Sequence, residues 1–206
     1  MRDWRSRSVR RLLRRNGERS PLPFNLADSA SPRWEERAET AVALLAANAE
    51  NLRWDRSVGL RIADFGAGNE RLQRVLASRL RQPHRYAAFD LHPQSERVVE
   101  LDVTRELPND DFDVVFCLGL LEYVEPLRPF LAKLGKRYSA LLISYTLFDA
   151  PHPLTRRERR KRGWLTDYTR AELQRELESL GFETRGFRLT NQERTGVWLV
   201  VGPSSA

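Results

Sequence analysis

An intramolecular disulfide is closed to this chain, because its 206 residues include a single cysteine, Cys117. That usage suits a reducing compartment. Histidine is also scarce, with three scattered residues, and together with one cysteine they make no metal-ligand spacing, so no metal is expected. No apolar run approaches the roughly 18 residues of a membrane span. The opening stretch "MRDWRSRSVRRLLRR" has neither the apolar core nor the small-residue cleavage site of a secretory signal. A cytoplasmic protein is the resulting expectation. Internal repeats and low-complexity tracts are missing too, which leaves one globular domain large enough to bury a full core.

Charge is plentiful but unevenly placed. The net charge is +7, yet residues 1–20 hold eight arginines against Asp3 and Glu18, and "TRRERRKRG" (155–163) holds six basic residues against Glu158. Those two patches carry +6 and +5, so the remainder of the chain is mildly acidic at −4. Such patches attract phosphates, acidic membranes or nucleic acid, or else serve as solvated segments. The division that follows is a basic arm and linker over residues 1–32 and a folded domain over 33–206. Within the arm, Val9, Leu12 and Leu13 have the spacing of a short basic helix, and "NGERSPLPFNLADSASP" reads as a lead-in.

The pattern of the folded part alternates between helix and strand. Ser31–Pro32 makes a cap followed by a first-turn proline, and Trp34, Ala38, Ala41, Val42 and Leu45 form the apolar face of the helix it opens. Buried-strand runs follow at "LRIADF", "RYAAFD", "RVVEL", "DVVFCLGL" and "SALLISYTL", with helices between them over Glu70–Leu80 and Pro126–Leu134. Near-continuous apolar strands separated by helices predict a mostly parallel sheet covered on both faces. The C-terminal part differs. "TRAELQRELESLG" is a helix with Thr169 and Glu172 as a capping box, and "FETRGFRL" and "TGVWLVVG" make a hairpin. The expected fold is therefore an α/β, Rossmann-like, doubly wound, seven-stranded and mostly parallel sheet with a C-terminal antiparallel hairpin strand.

Ligands of open α/β sheets bind at the carboxyl ends of the strands, and here acids stand at those ends: Asp64, Asp90 and Asp102. A lone strand-end aspartate is commonly a turn former. Three on consecutive strands beside Gly66 and Gly68 suit a nucleoside with a cationic tail. A carboxylate after the second strand can accept both ribose hydroxyls, one after the third an adenine amino group, and Asp64 favours an ammonium or sulfonium. Glycines at 66 and 68 let the backbone turn tightly beneath the ligand. Glu70, in the third slot of the glycine pattern, reads as an acid opening the next helix, where the helix dipole favours it. A nicotinamide-dinucleotide Rossmann domain is the rival for Gly-x-Gly, but it asks for glycine at Arg71 and leaves Asp102 and the hairpin without explanation.

On these residues the chain resembles the class I S-adenosylmethionine-dependent methyltransferases. "IADFGAGNERL" is similar to that family's Asp-x-Gly-x-Gly-x-Gly motif, with Glu70 in place of the third glycine. "AAFDL" and "LDV" resemble its ribose-side and adenine-side acids, and "DFDVVFCLGLLEYVEPLRPFLAKL" its fourth strand and "LEHV" segment, with Tyr123 in place of histidine. The likeness spans roughly residues 33–202. It implies S-adenosylmethionine as cofactor, with contacts at Asp64, Gly66, Ala67, Gly68, Asp90, Leu91, Asp102, Val103, Cys117 and Leu118. Read from its own surroundings, "VFCLG", Cys117 is a small buried apolar residue.

Methyl transfer from a sulfonium is an in-line displacement, which positioning alone can accelerate, so no base is required. His152, Tyr123 and Tyr145 are the candidates for acceptor-side catalysis, His152 because the loop after strand five borders the acceptor cleft in this family. The leading expectation is transfer to an O or N of a small polar or anionic acceptor, with 155–163 as a lid or rim. "GKRYSALLISYTL" and "RGWLTDYTRAELQRELESLGF" are similar to small bacterial methyltransferase-domain proteins, including the methionine-biosynthesis W type. A second expectation is a ribosomal or transfer RNA methyltransferase, since "LGFETRGFRLTN" is similar to the ribosomal RNA adenine-N1 methyltransferase-like family and the basic patches suit RNA. A third is a non-catalytic adenosylmethionine-binding regulatory partner.

Overall fold

The computed structural model describes residues 32–151, 153–191 and 194–203. The expected arm helix, the Ser31 cap and His152 lie outside those residues. Helix α1 (Pro32–Asn48) leads into strand β1 (Leu60–Phe65), helix α2 (Arg71–Arg79), β2 (His84–Asp90) and β3 (Val98–Glu100). Then come β4 (Val114–Cys117), a 3-10 turn at Leu121–Tyr123, α3 (Leu127–Arg137), β5 (Ala140–Thr146), α4 (Arg156–Lys161), α5 (Arg170–Ser179), β6 (Glu183–Thr190) and β7 (Thr195–Val201). The sheet order is β3-β2-β1-β4-β5-β7-β6. The first five strands are parallel, while β7 is antiparallel to both β5 and β6.

Apolar runs become strands here because both faces of the sheet are covered. Alternate residues feed alternate cores. Ala63 and Phe65 of β1, Leu141 and Ile143 of β5, and Trp198 and Val200 of β7 pack under α3 and α5 with Leu131, Leu134, Leu173 and Leu177. Leu60 and Ile62, Leu142, and Val197 and Leu199 face the other way, against Ala41, Val42 and Leu45 of α1 and Leu72, Val75 and Leu76 of α2. Trp34 is the exception on the expected α1 face. It is only partly buried and lines a cavity instead.

Two expectations need correction, and one is refined. The fourth strand ends at Cys117, so Leu118–Leu120 form a loop that turns on Gly119, whose φ is +71°. The basic stretch 155–163 is not a loop: α4 forms there, with Thr155 and Glu158 as a capping box of the same kind as Thr169 and Glu172 on α5. Glu70 does stand at the start of α2, as its N-cap, but in a left-handed conformation (φ +57°) and with no side-chain capping bond. Its slot is therefore one where glycine would be unstrained.

Candidate functional site

The strand order reverses between β1 and β4, and the crevice outside their carboxyl ends is where such sheets bind ligands. The turn after β1 forms its floor. Gly66 and Gly68 have φ of +76° and +51°. The amides of Gly66 and Ala67 both donate to the Phe89 carbonyl at 2.8 and 3.1 Å. The Gly68 amide donates to Asp90 Oδ2 at 2.9 Å, and the His92 amide to Asp90 Oδ1 at 2.8 Å. The glycine turn is thus fastened to the end of β2, and each Asp90 oxygen keeps one lone pair for a further donor.

Asp64 lies at the centre, 3% exposed, and accepts a hydrogen bond from the Tyr86 hydroxyl at 2.7 Å. Burial pushes its carboxyl up to about 7, against the opposing pull of the Tyr86 bond, and the charges of Asp90 and Glu70 raise it further. Burial and Asp64 in turn push the Tyr86 phenol well above its ordinary range. Glu70 is buried as well, accepting from Ser95 Oγ at 2.7 Å, with Arg97 Nη2 at 3.4 Å. Three carboxylates thus share one corner. Among the described residues, however, no cluster of His, Cys, Asp and Glu could hold a metal ion.

Asp64, Gly66, Ala67, Gly68 and Leu118 line one cavity together. Asp90 joins them through the Gly68 amide, and Leu91 stands exposed beside it. Asp102 is engaged in its own turn: Oδ1 accepts from the Thr104 amide and hydroxyl, at 3.1 and 2.6 Å, and Oδ2 pairs with Arg105 at 3.2 Å. Val103 belongs to the apolar layer, and its carbonyl accepts from Lys133 Nζ at 3.0 Å. Cys117 is fully buried in the same layer, where burial pushes its thiol up and keeps it protonated.

Of the acceptor-side candidates, Tyr145 is committed elsewhere. Its hydroxyl donates to Thr166 Oγ1 at 2.9 Å and accepts from Arg159 Nη2 at 3.1 Å and from the Tyr168 amide at 3.0 Å. It is fully buried, so its role is to hold the segment after α4. Tyr123 is half-buried, with Trp164 hydrogen-bonded to it, and burial chiefly raises its phenol. Next to it, Glu122 is 1% exposed and accepts the Thr146 amide at Oε1 (2.8 Å), while Oε2 has no partner.

Sequence reasoning passed over three residues that line or shape this cavity: Trp34 and Arg37 on α1, and Gly119 after β4. The Arg37 guanidinium lies over the Trp34 ring at 4.3 Å. A Cβ on Gly119 would collide with both Arg37 Nη1 and the Trp34 ring. The available signal was an arginine three residues after a tryptophan on an otherwise apolar helix face.

A sequence family described as a hypothetical methyltransferase matches residues 40–136, just under half of the chain. Solved structures extend the likeness to most of it. Magnesium protoporphyrin IX methyltransferase from Synechocystis PCC 6803, with bound S-adenosylhomocysteine, superposes with a TM-score of 0.62 at 16% identity, covering 87% of this chain and 88% of that one. The 1,6-didemethyltoxoflavin-N1-methyltransferase of Burkholderia thailandensis, with its namesake compound and S-adenosylhomocysteine bound, gives 0.60 at 21% identity over 82% and 80%. An S-adenosylmethionine-dependent methyltransferase from Clostridium acetobutylicum gives 0.59 at 10% identity over 87% and 95%. No curated protein matches the chain. The fold is that of the class I S-adenosylmethionine-dependent methyltransferases, and the family match over 40–136 is in keeping with it. Neighbours of this fold bind S-adenosylhomocysteine, and the donor set here is of a kind that fits such a ligand: a carboxylate buried among the described residues without a cation, a glycine turn, and a strand-end carboxylate with lone pairs to spare.

Proposed function

We propose that the protein transfers the methyl group of S-adenosylmethionine to an oxygen or nitrogen of a small polar or anionic acceptor. The observation that carries this reading is Asp64, a buried carboxylate at the glycine turn, crowded by Asp90 and Glu70 and paired with no cation. A ligand bearing an ammonium and a sulfonium relieves that crowding. In this reading Asp90 takes the ribose hydroxyls, Leu91 packs on the adenine, and Asp102 Oδ2, which Arg105 engages on one side, accepts the adenine amino group with its other lone pair. The bound cofactor supplies an activated methyl group on sulfur. The chain's own residues then align the acceptor with it and exclude water.

An anionic oxygen or an amine lone pair can attack without prior loss of a proton, and the proton of a methylated amine then passes to solvent. Tyr123, raised above the ordinary phenol range, stays protonated at neutral pH and serves as a hydrogen-bond donor at the acceptor side. Small acceptors are also in keeping with the two named neighbours, which act on a magnesium protoporphyrin and on 1,6-didemethyltoxoflavin. The RNA alternative loses support in α4. Arg156, Arg159 and Arg160 share the single carboxylate of Asp167, at 3.4, 2.7 and 2.9 Å, and Arg159 is fully buried, so one of the six basic side chains is withdrawn from the surface and two more are tied to an internal acid.

Calorimetry with S-adenosylmethionine and S-adenosylhomocysteine tests the cofactor, and labelled methyl transfer into cell extract tests the acceptor. Label in the small-molecule fraction supports the proposal. Label in a ribonuclease-sensitive fraction turns it to RNA, binding without transfer favours a regulatory partner, and no binding overturns the reading.

A further inference from the structure

Glu122 is a carboxylate that the fold buries and uses by halves. It is 1% exposed, and Oε1 accepts the Thr146 amide at 2.8 Å, whereas Oε2 is buried with no partner. A carboxylate oxygen taken out of water without a donor is costly, and each such group in a fold calls for a reason. The residue is also fixed in place. Its carbonyl accepts the Leu165 amide at 2.7 Å, so the turn after β4, the end of β5 and the segment after α4 meet at it.

Its charge acts on Arg37 of α1, on Tyr123 of its own turn and on Tyr145 of β5. The Tyr145 hydroxyl is spent on Thr166, Arg159 and the Tyr168 amide. Arg37 is 6% exposed, and its Nε and Nη1 have no acceptor. Among the described residues no ion pair joins it to Glu122. Two opposite buried charges thus attract each other without touching, and each keeps an unused hydrogen-bonding position.

That pairing is selective. Ionised Oε2 can only accept a hydrogen bond, and a guanidinium can only donate one. A ligand atom that answers both must carry a hydrogen and a lone pair. A hydroxyl oxygen does so and keeps a second lone pair for bonding. A neutral amine nitrogen has a single lone pair and surrenders it to the arginine, and a carboxylate brings no hydrogen to Oε2.

We propose that Glu122 is the catalytic base for a hydroxyl acceptor held between its Oε2 and Arg37, so that this chain makes methyl ethers. This rests on the S-adenosylmethionine reading of the glycine turn. The hydroxyl donates to Oε2, and its free lone pair forms the new O–C bond to the methyl group. The C–S bond breaks with its electron pair remaining on sulfur. The hydroxyl proton passes to Oε2 and from there to solvent. Arg37 stabilises the negative charge that gathers on the oxygen as the proton leaves.

The test follows labelled methyl from S-adenosylmethionine into the small-molecule fraction of cell extract. It uses the wild-type chain and Glu122→Gln, whose amide oxygen can still take the Thr146 hydrogen bond. Hydriodic acid at moderate temperature releases the methyl of an ether but not an N-methyl group, and mild alkali releases the methyl of an ester. Label released by the acid and not by alkali is the expected result. Label in N-methyl or ester form overturns the proposal with no variant required. Loss of a positioned base predicts a roughly 10²- to 10⁴-fold slower transfer by Glu122→Gln. Its affinity for S-adenosylhomocysteine, read by calorimetry, should be unchanged, and its unliganded thermal midpoint should stay within about 4 °C of wild type. A wild-type rate in the variant overturns the proposal. A slower rate accompanied by lost S-adenosylhomocysteine binding or a lower midpoint makes Glu122 structural and overturns it too. A wild-type chain that does not bind S-adenosylhomocysteine, or binds it and transfers no label, refutes the methyltransferase reading and this assignment with it.

Discussion

Two arginines are buried among the described residues, Arg37 and Arg159, and they are treated in opposite ways. Arg159, on α4, is fully buried, both its Nη atoms donate hydrogen bonds, and its Nε, not aligned for one, sits in an ion pair. Nη1 donates to the Thr146 carbonyl at 2.9 Å, Nη2 to the Tyr145 hydroxyl at 3.1 Å and the Thr166 carbonyl at 3.0 Å, and Nε lies 2.7 Å from Asp167. Arg37, on α1, is nearly as buried but has a tryptophan face and orphaned nitrogens. A guanidinium whose partners are all internal belongs to the scaffold. One that is desolvated, stacked and without an acceptor lines the cavity at the glycine turn instead. Sequence composition counts both alike, as +1.

The largest effect expected from breaking this contrast is on the scaffold side. Asp167→Asn removes the carboxylate shared by Arg156, Arg159 and Arg160 and leaves Arg159 as an uncompensated buried charge, costing about 3–5 kcal/mol. Urea denaturation measures it, and a loss below about 1 kcal/mol would mean that α4 is not anchored this way. Arg37→Met, judged by the same titration, should be neutral or stabilising. Opposite signs for two buried arginines are the sharpest statement of the difference.

Asp64 gives the next effect, and its sign can be worked out. Its carboxyl titrates near 7 in the fold and near 3.8 when unfolded, so between those values the folded state holds the extra proton. Stability therefore falls as pH rises from about 4 to 7 and levels off above. The fall amounts to roughly 4 kcal/mol at most, because each pH unit between the two values contributes about 1.36 kcal/mol. Asp64→Asn should flatten that slope and be more stable at pH 8. Ligand binding runs the other way. A cationic ligand favours the ionised carboxylate, so S-adenosylhomocysteine affinity should rise between pH 6 and 8 in the wild type and lose that rise in the variant. Denaturation and calorimetry across pH 5–8 check both halves.

What was legible in the sequence follows the same division. Strands buried on both faces write themselves as apolar runs, and the acids at their ends stand out by contrast. The sheet and the turn from Asp64 to Asp90 were therefore readable, down to the antiparallel hairpin. The α4 helix was not, because a six-residue helix of charged side chains shows no apolar period and its one buried residue is Arg159. Its capping box, Thr155 with Glu158, was in plain view and was read correctly only in its twin at Thr169 and Glu172. Arg37 and Gly119 were missed because their relation is tertiary. Nothing local to α1 says that a loop after β4 lacks a Cβ where a guanidinium must sit.

Glu70 offers the smallest effect and a test of how finely the acidic corner is tuned. Its left-handed φ of +57° costs a non-glycine residue on the order of 1 kcal/mol, which Glu70→Gly would release. The same change deletes the Ser95 bond, worth about 1 kcal/mol, and a weak pairing with the largely exposed Arg97. Net stability should move by less than about 1 kcal/mol. The electrostatic consequence does not cancel in this way. With Glu70's charge gone, one of the repulsions that raise Asp64 is removed, so the pH at which stability levels off should move down. Glu70→Gln keeps the strained φ while losing the charge, and should show the same displacement in pH without the backbone relief. If the two variants differ in that displacement, Glu70 acts on Asp64 through the shape of the turn and not through its charge.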